Sequence, residues 1–230
     1  MMQPKEAIND FVIKFANVNG TGSASANGMF AKAIFRMGIP VSPRNIFPSN
    51  IQGLPTWYEV RISQDGYLGR RGGIDMMVSV NPQSFAKDVG EVEPDGYMLY
   101  DSTKPLDLRH VRRDIHYLGI PLTEMCLREY TDSRQRQLFK NVIYVGALSA
   151  LLNIDFAILK DLVSEQFKGK EKLITPNIHA LEMGHQFAST HFECPLGIHL
   201  KAGEQTPKHI QEFDQILMDG NTATALGAVY

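Results

Sequence analysis

A chain of 230 residues that is 43% hydrophobic and 21% charged has the composition of a globular protein with a self-sufficient core. Its formal charge of −2, from 23 Lys and Arg against 25 Asp and Glu, carries no basic footprint for nucleic acid, and two cysteines, Cys126 and Cys194, cannot alone hold an iron–sulfur cluster and give no C-x-x-C pair or zinc framework. That cysteine usage and the absence of an apolar leader in MMQPKEAIND point to a reducing, cytoplasmic setting.

In chain order, FVIKFANV (11–18) is β-rich and almost continuously apolar, as a central parallel strand is. Gly20 and Gly22 punctuate it, and residues 24–38 then space Phe30, Ile34 and Met37 as a helix that stops at Gly38. IPVSPRNIFPSN is a short extended segment cut by prolines, and TWYEVRIS (56–63) alternates as a strand. QDGYLGRRGG is a turn or hairpin connection, and IDMMVSV (74–80) a buried strand. Asn81-Pro82 signals a helix start, DGYMLYDST (95–103) is another strand, and IHYLGIPL (115–122) one more.

Beyond that the chain turns helical. Residues 138–152 are the most apolar stretch, about 15 residues against the roughly 20 of a membrane span, so 134–152 reads as a buried helix. FAILKDLVSEQF (156–167) carries one apolar stripe, and Thr175-Pro176 reads as the N-cap and first turn of a helix over NIHALEMGHQFASTHF. Residues 194–213 look irregular and polar, like a linker. ILMDGNTATALGAVY opens a new Ala-rich helix without a C-cap, which suggests a piece of a longer polypeptide. The order of elements predicts an α/β fold: a three-layer, Rossmann-like domain with a mostly parallel sheet and a helical C-terminal part.

The candidate chemistry centres on the glycine turn. Gly20, Thr21 and Gly22 match the first half of a dinucleotide fingerprint, but Ser25 stands at the third glycine position, and Asn45 and Ser49 stand where an acid for the ribose belongs. The turn is therefore either a tight strand-to-helix connection or an anion site. In the second case backbone N–H groups at a helix N-terminus would be joined by the hydroxyls of Thr21, Ser23 and Ser25. GRRGG (69–73) is either a solvated loop or an anion clamp made by Arg70 and Arg71. Arg61 and Glu59 share a strand face and suggest an ion pair. His179 and His185 are six apart and off one helical face, and no metal spacing, Walker A loop or G-x-S-x-G elbow occurs.

Three stretches taken together resemble the gamma-type domain of the 2-oxoacid:ferredoxin oxidoreductases. They are NGTGSASANGMFAKAIFRMG, then IDMMVSVNPQSF with EPDGYMLYDST, then NIHALEMGHQFAST with Asn177, Ala180, Leu181, Gly184, Phe187 and Thr190. In one branch that domain is fused to the front of the alpha subunit, and MDGNTATALGAVY resembles the opening of the pyrimidine-binding domain that follows. The resemblance implies a gamma-type domain over 1–193, a linker over 194–214 and the start of the next domain over 215–230. It implies a component of an enzyme that decarboxylates a 2-oxoacid, with 2-oxoglutarate first, to acyl-CoA. Thiamine diphosphate with Mg, 4Fe-4S clusters and CoA belong to the whole enzyme, and no catalytic or metal residue maps onto this stretch. A thiamine-binding beta subunit, the rest of the alpha subunit and ferredoxin are the implied partners, and the piece alone is expected to be inactive. Gly20, Thr21, Gly22, Ser23, Arg70 and Arg71 are the candidate cofactor-binding residues. The other reading is a stand-alone Rossmann-like module that binds a nucleotide, CoA or a protein.

Overall fold

The computed structural model describes residues 5–18, 20–47, 55–203 and 216–229. In chain order these form β1 (Ala7–Ile8), β2 (Asp10–Val18), α1 (Ser23–Arg36), β3 (Val41–Ile46), β4 (Pro55–Ser63), β5 (Ile74–Ser79), α2 (Phe85–Glu91) and β6 (Val92–Asp101). A 3-10 turn (Leu108–His110) leads to β7 (His116–Ile120), followed by α3 (Leu122–Glu129), α4 (Ser133–Leu151), α5 (Phe156–Gln166), α6 (Glu171–His191), β8 (Ile198–His199) and α7 (Gly220–Val229). No helix is long and apolar enough to cross a membrane among the described residues.

Six strands make one sheet in the order β3-β4-β2-β5-β6-β7. β2, β5, β6 and β7 pair in parallel, and β4 runs antiparallel to both of its neighbours. The fold is thus α/β with a mostly parallel sheet, as expected. The 64–73 connection is not a hairpin, because β2 lies between β4 and β5; the hairpin is β3–β4.

One sheet face presents Phe11, Ile13, Phe15, Val60, Ile62, Met76, Val78 and Leu99 to α1, α4, α5 and α6, and holds the main core. The other face carries a smaller cluster around Val12, Trp57, Met77 and Met98, packed with Val89 of α2. Coverage on both sides explains why β2 reads as continuously apolar. The second face also buries Lys14, Glu59, Arg61 and Asp75, a charged layer within the sheet. There Arg61 pairs with Asp10 rather than with Glu59, because same-strand neighbours two apart point the same way without converging, whereas Asp10 sits on adjacent β2.

Two other expectations are corrected. α6 begins at Glu171, so Pro176 lies inside the helix rather than in its first turn. Ile174, packed against the core, keeps the preceding turn in place, and the carbonyl that Pro176 leaves without its helical donor belongs to Lys172, an exposed residue. The segment from 194 is not wholly a linker. Leu196, Ile198 and Leu200 are buried with period two, β8 pairs in parallel with β1, and Leu196 and Leu200 N–H groups donate to the carbonyls of Leu151 and Leu152. Residues 204–214 of the expected linker, and Gln215 and Tyr230 of the segment expected after it, lie outside the described residues.

Candidate functional site

In open sheets of this kind ligands meet the carboxyl ends of the parallel strands. Here those ends carry the glycine turn after β2, the Asn81-Pro82 loop after β5 and the loop after β6. Gly20 and Gly22 have φ of +82° and +80°, the left-handed region that L side chains rarely enter. Gly22 is the N-cap of α1 and makes no side-chain cap, and the first turn of α1 has no acidic residue. The leading N–H groups and the positive end of the helix dipole are therefore left without an internal counter-charge.

The turn is held from two sides. Thr21 Oγ1 donates to the Val18 carbonyl at 2.8 Å, and Asn141 Nδ2 of α4 donates to the Thr21 carbonyl at 2.8 Å. Ser25 Oγ is occupied as acceptor for Gln166 Nε2 at 2.8 Å. Of the three hydroxyls predicted to face an anion, only that of Ser23 lines the turn's cleft without a partner among the described residues.

That cleft has a volume of about 220 Å³ and is bounded by the turn, Asn45, Thr56, Trp57 and Tyr58. Its floor is a polar ring that sequence reading missed. Tyr144 Oη donates to Asn27 Oδ1 at 2.6 Å, and Asn27 Nδ2 donates to Asn17 Oδ1 at 3.0 Å. Burial pushes the phenol of Tyr58 up to about 12 and raises that of Tyr144 as well, so both stay protonated at neutral pH. The ring ties the end of β2, the second turn of α1 and the middle of α4 together. The three residues lie 10 and 117 positions apart, and no local motif signals them.

Trp57, the one tryptophan of the chain, forms a cleft wall. Its Nε1 donates to Asp88 Oδ1 at 2.9 Å, and Lys87 Nζ lies 3.9 Å from its ring centroid. Asp88 also accepts from Ser79 Oγ at 2.8 Å and Ser84 Oγ at 2.7 Å. Burial is the main cause that holds the Asp88 carboxyl above its ordinary pKa, with Glu91 adding to it and the three donors opposing. The folded state then binds this proton more strongly than the unfolded chain does. Its stabilising contribution is full below the unfolded value near 3.8 and is lost as pH rises through the folded pKa. Urea unfolding across the acid range is expected to show it: relative to Asp88→Asn, the parent loses stability as pH climbs from that value. A flat difference would remove Asp88 as the titrating group.

The predicted arginines are not brought to this cleft. Arg70 Nε lies 3.1 Å from Glu59 Oε1, and Arg71 pairs with Asp75, whose Oδ2 accepts from the Val12 N–H at 2.7 Å. Val12 is six residues before the end of β2, about 20 Å from the glycine turn at ~3.3 Å per residue. Among the described residues no group of three or more His, Cys, Asp or Glu could hold a metal ion. Cys126 and Cys194 are both free thiols, and burial raises the pKa of each, Cys126 to about 11. A 4Fe-4S cluster takes four thiolates, so these residues do not fit one.

Comparison with known proteins agrees with this architecture. The chain is 24% identical over 176 residues to 2-oxoglutarate synthase subunit KorC of Archaeoglobus fulgidus, covering 76% of this chain and 88% of that one. It is 22% identical over 223 residues to the alpha subunit of 2-oxoacid:ferredoxin oxidoreductase 2 of Aeropyrum pernix, covering 81% of this chain but 35% of that subunit. It therefore spans about a third of the alpha-type relative's length. A 2-oxoglutarate:ferredoxin oxidoreductase from Magnetococcus marinus, solved with 2-oxoglutarate, coenzyme A and succinyl-CoA bound, has the same fold over 96% of this chain and 37% of its own, with a TM-score of 0.82 at 24% identity. The pyruvate ferredoxin/flavodoxin oxidoreductase family matches residues 12–187, most of the described domain, and the chain belongs to that family.

Proposed function

We propose that the chain is the gamma-type portion of a 2-oxoacid:ferredoxin oxidoreductase alpha subunit. The observation that carries this is the fold shared over 96% of the chain with part of an oxidoreductase that binds 2-oxoglutarate and CoA. In this reading residues 1–193, together with the packed segment that carries β8, form the gamma-type domain, the chain then runs onward, and 215–230 open a pyrimidine-binding domain. The oxoacid is 2-oxoglutarate, the acceptor is ferredoxin, and the setting is cytoplasmic. Thiamine diphosphate with Mg, bound elsewhere in the assembly, supplies the carbanion chemistry. The chain's own residues bind and orient. Gly20, Thr21, Gly22 and Ser23 offer the uncapped end of α1 to an anionic group of CoA, with the Asn17–Asn27–Tyr144 ring fixing that end in place. Arg70 and Arg71 hold the charged face of the sheet through Glu59 and Asp75.

Trp57 fluorescence gives a direct test. CoA is expected to change its emission in a saturable way, and Gly22→Ala to weaken that response about tenfold. The new Cβ would sit at φ +80° and 2.4 Å from Leu138 Cδ2, at a strain of roughly 1–2 kcal/mol. No response to CoA, or an unchanged affinity in Gly22→Ala, refutes the assignment of the turn. The wider reading has its own assay: oxoacid- and CoA-dependent ferredoxin reduction is expected only when the thiamine-binding subunit and the rest of the alpha subunit are present. Turnover by the 230-residue chain alone sinks it.

A further inference from the structure

A second, larger cleft of about 390 Å³ opens at the carboxyl ends of β5 and β6, within the size range of small-molecule sites. The loop after β5 with the first residues of α2, and the loop after β6 up to His110, form its sides. It shares no lining residue with the glycine-turn cleft, and Asn81 Nδ2 on its side donates to the carbonyl of Asn17 on the other at 3.4 Å. Phe85 and Tyr100 contribute ring surface, and Pro82 and Pro105 stiffen the two lips.

The polar groups around it divide sharply into spent and unspent. Asp101 accepts from Thr103 Oγ1 at 2.7 Å and from the Thr123 N–H at 3.2 Å, bonds the Thr123 hydroxyl, and lies 3.7 Å from Lys140 Nζ. Asp107 is gripped by Arg109 through Nε at 3.0 Å and Nη2 at 2.5 Å, with His110 Nε2 4.0 Å away. Both carboxylates are thus neutralised by their own neighbours. Lys104 is exposed and has no ion pair or hydrogen bond among the described residues, and the same holds for the Gln83 side-chain amide and the Tyr100 hydroxyl. Among the described residues the cleft therefore offers the Lys104 ammonium, the Gln83 amide and the rings of Phe85 and Tyr100.

We infer that this cleft binds a planar heteroaromatic group that carries an acidic substituent, of the nucleoside monophosphate class. The ring lies against Phe85 and Tyr100, Gln83 meets its polar edge, and Lys104 takes the phosphate. A base stacks on the face of an aromatic side chain whatever its identity, and a flexible ammonium suits a phosphate as a point charge.

The test is a titration of the 230-residue chain with AMP, adenosine and inorganic phosphate, followed by saturation-transfer NMR and calorimetry. AMP is expected to bind about tenfold more tightly than adenosine, a difference of about 1.4 kcal/mol. Lys104→Ala is expected to erase that difference while leaving adenosine unchanged, and Phe85→Leu to weaken both nucleosides. Lys104 is exposed, so its replacement leaves the core intact, and an unchanged unfolding midpoint verifies this. Equal affinity for AMP and adenosine in the parent, no binding of AMP, or AMP affinity unaffected by Lys104→Ala overturns the assignment. A Gly22→Ala chain that still binds AMP separates this cleft from the glycine turn, and loss of AMP binding in that variant merges the two and counts against the proposal.

Discussion

Gly184→Ala is expected to lower the unfolding free energy by about 3–5 kcal/mol, read as a fall in the denaturant midpoint at unchanged slope. The reason is the closeness of α4 and α6. A Cβ on Gly184 would stand 1.9 Å from the Ile143 carbonyl oxygen and 2.8 Å from the Ala147 nitrogen, and one on Gly146 would stand 2.1 Å from the Leu181 carbonyl oxygen. These obstacles are backbone atoms of the facing helix, so no side-chain rotation relieves them and the helices must separate. Separation would loosen the contacts of Ile143, Ala147, Ala180 and Leu181, all buried in the main core. Gly28→Ala is the matched control. Gly28 sits inside α1 with nothing within 4 Å of the added Cβ, so the same change there is expected to stabilise by roughly 0.5–1 kcal/mol. If both variants shift stability equally, the close crossing of α4 and α6 is not what the glycine protects.

Asp75→Ala is expected to cost about 2–4 kcal/mol. The carboxylate is fully buried, accepts from the Val12 N–H, and faces Lys5 at 2.5 Å and Arg71. Removing it leaves a buried backbone donor on the central strand without its acceptor. The two cations are about a third exposed and can turn to water, which keeps the loss below that of a sealed ion pair. Asp75→Asn retains an acceptor for Val12, and is expected to lose about half as much. Thermal unfolding at low and high salt checks the division, since only the ion-pair part responds to screening. A loss under about 1 kcal/mol for the alanine variant would show that water replaces the carboxylate without penalty.

The amino-acid pattern made the central parallel strands and α4 legible as continuous apolar runs buried on all sides, and α1 and α5 legible by an apolar stripe at helical spacing. It also exposed the glycine turn, since Gly20 and Gly22 mark positive φ directly. α3 gave no such signal: it is a short helix of mixed composition whose start is fixed by Asp101 and Thr103, about 20 positions upstream, accepting the N–H groups of Thr123 and Glu124. Pro176 misled because a proline is read locally as a helix start, whereas the turn before it is held by packing. The grouping of the candidate site was only half visible. Gly20, Thr21, Gly22 and Ser23 are together because they are consecutive. Arg70 and Arg71 were grouped with them by charge alone, and the sheet places them toward its opposite end.

By itself the sequence determined the alternation of strands and helices, the uncapped glycine-rich entry to α1, and a resemblance to oxidoreductase gamma-type domains, all of which depend on neighbours within a few residues. Only the tertiary structure decided that β4 enters beside β2, that Asn17, Asn27 and Tyr144 close a ring under the turn, that Arg70 and Arg71 are tied to Glu59 and Asp75, and that Lys104 stands beside a cleft with no ion pair among the described residues. Local conformation is set by short-range sterics and hydrogen bonding, which the order of residues encodes directly. Which charge meets which depends on strand order and register, and those are fixed by the burial of a whole sheet face at once.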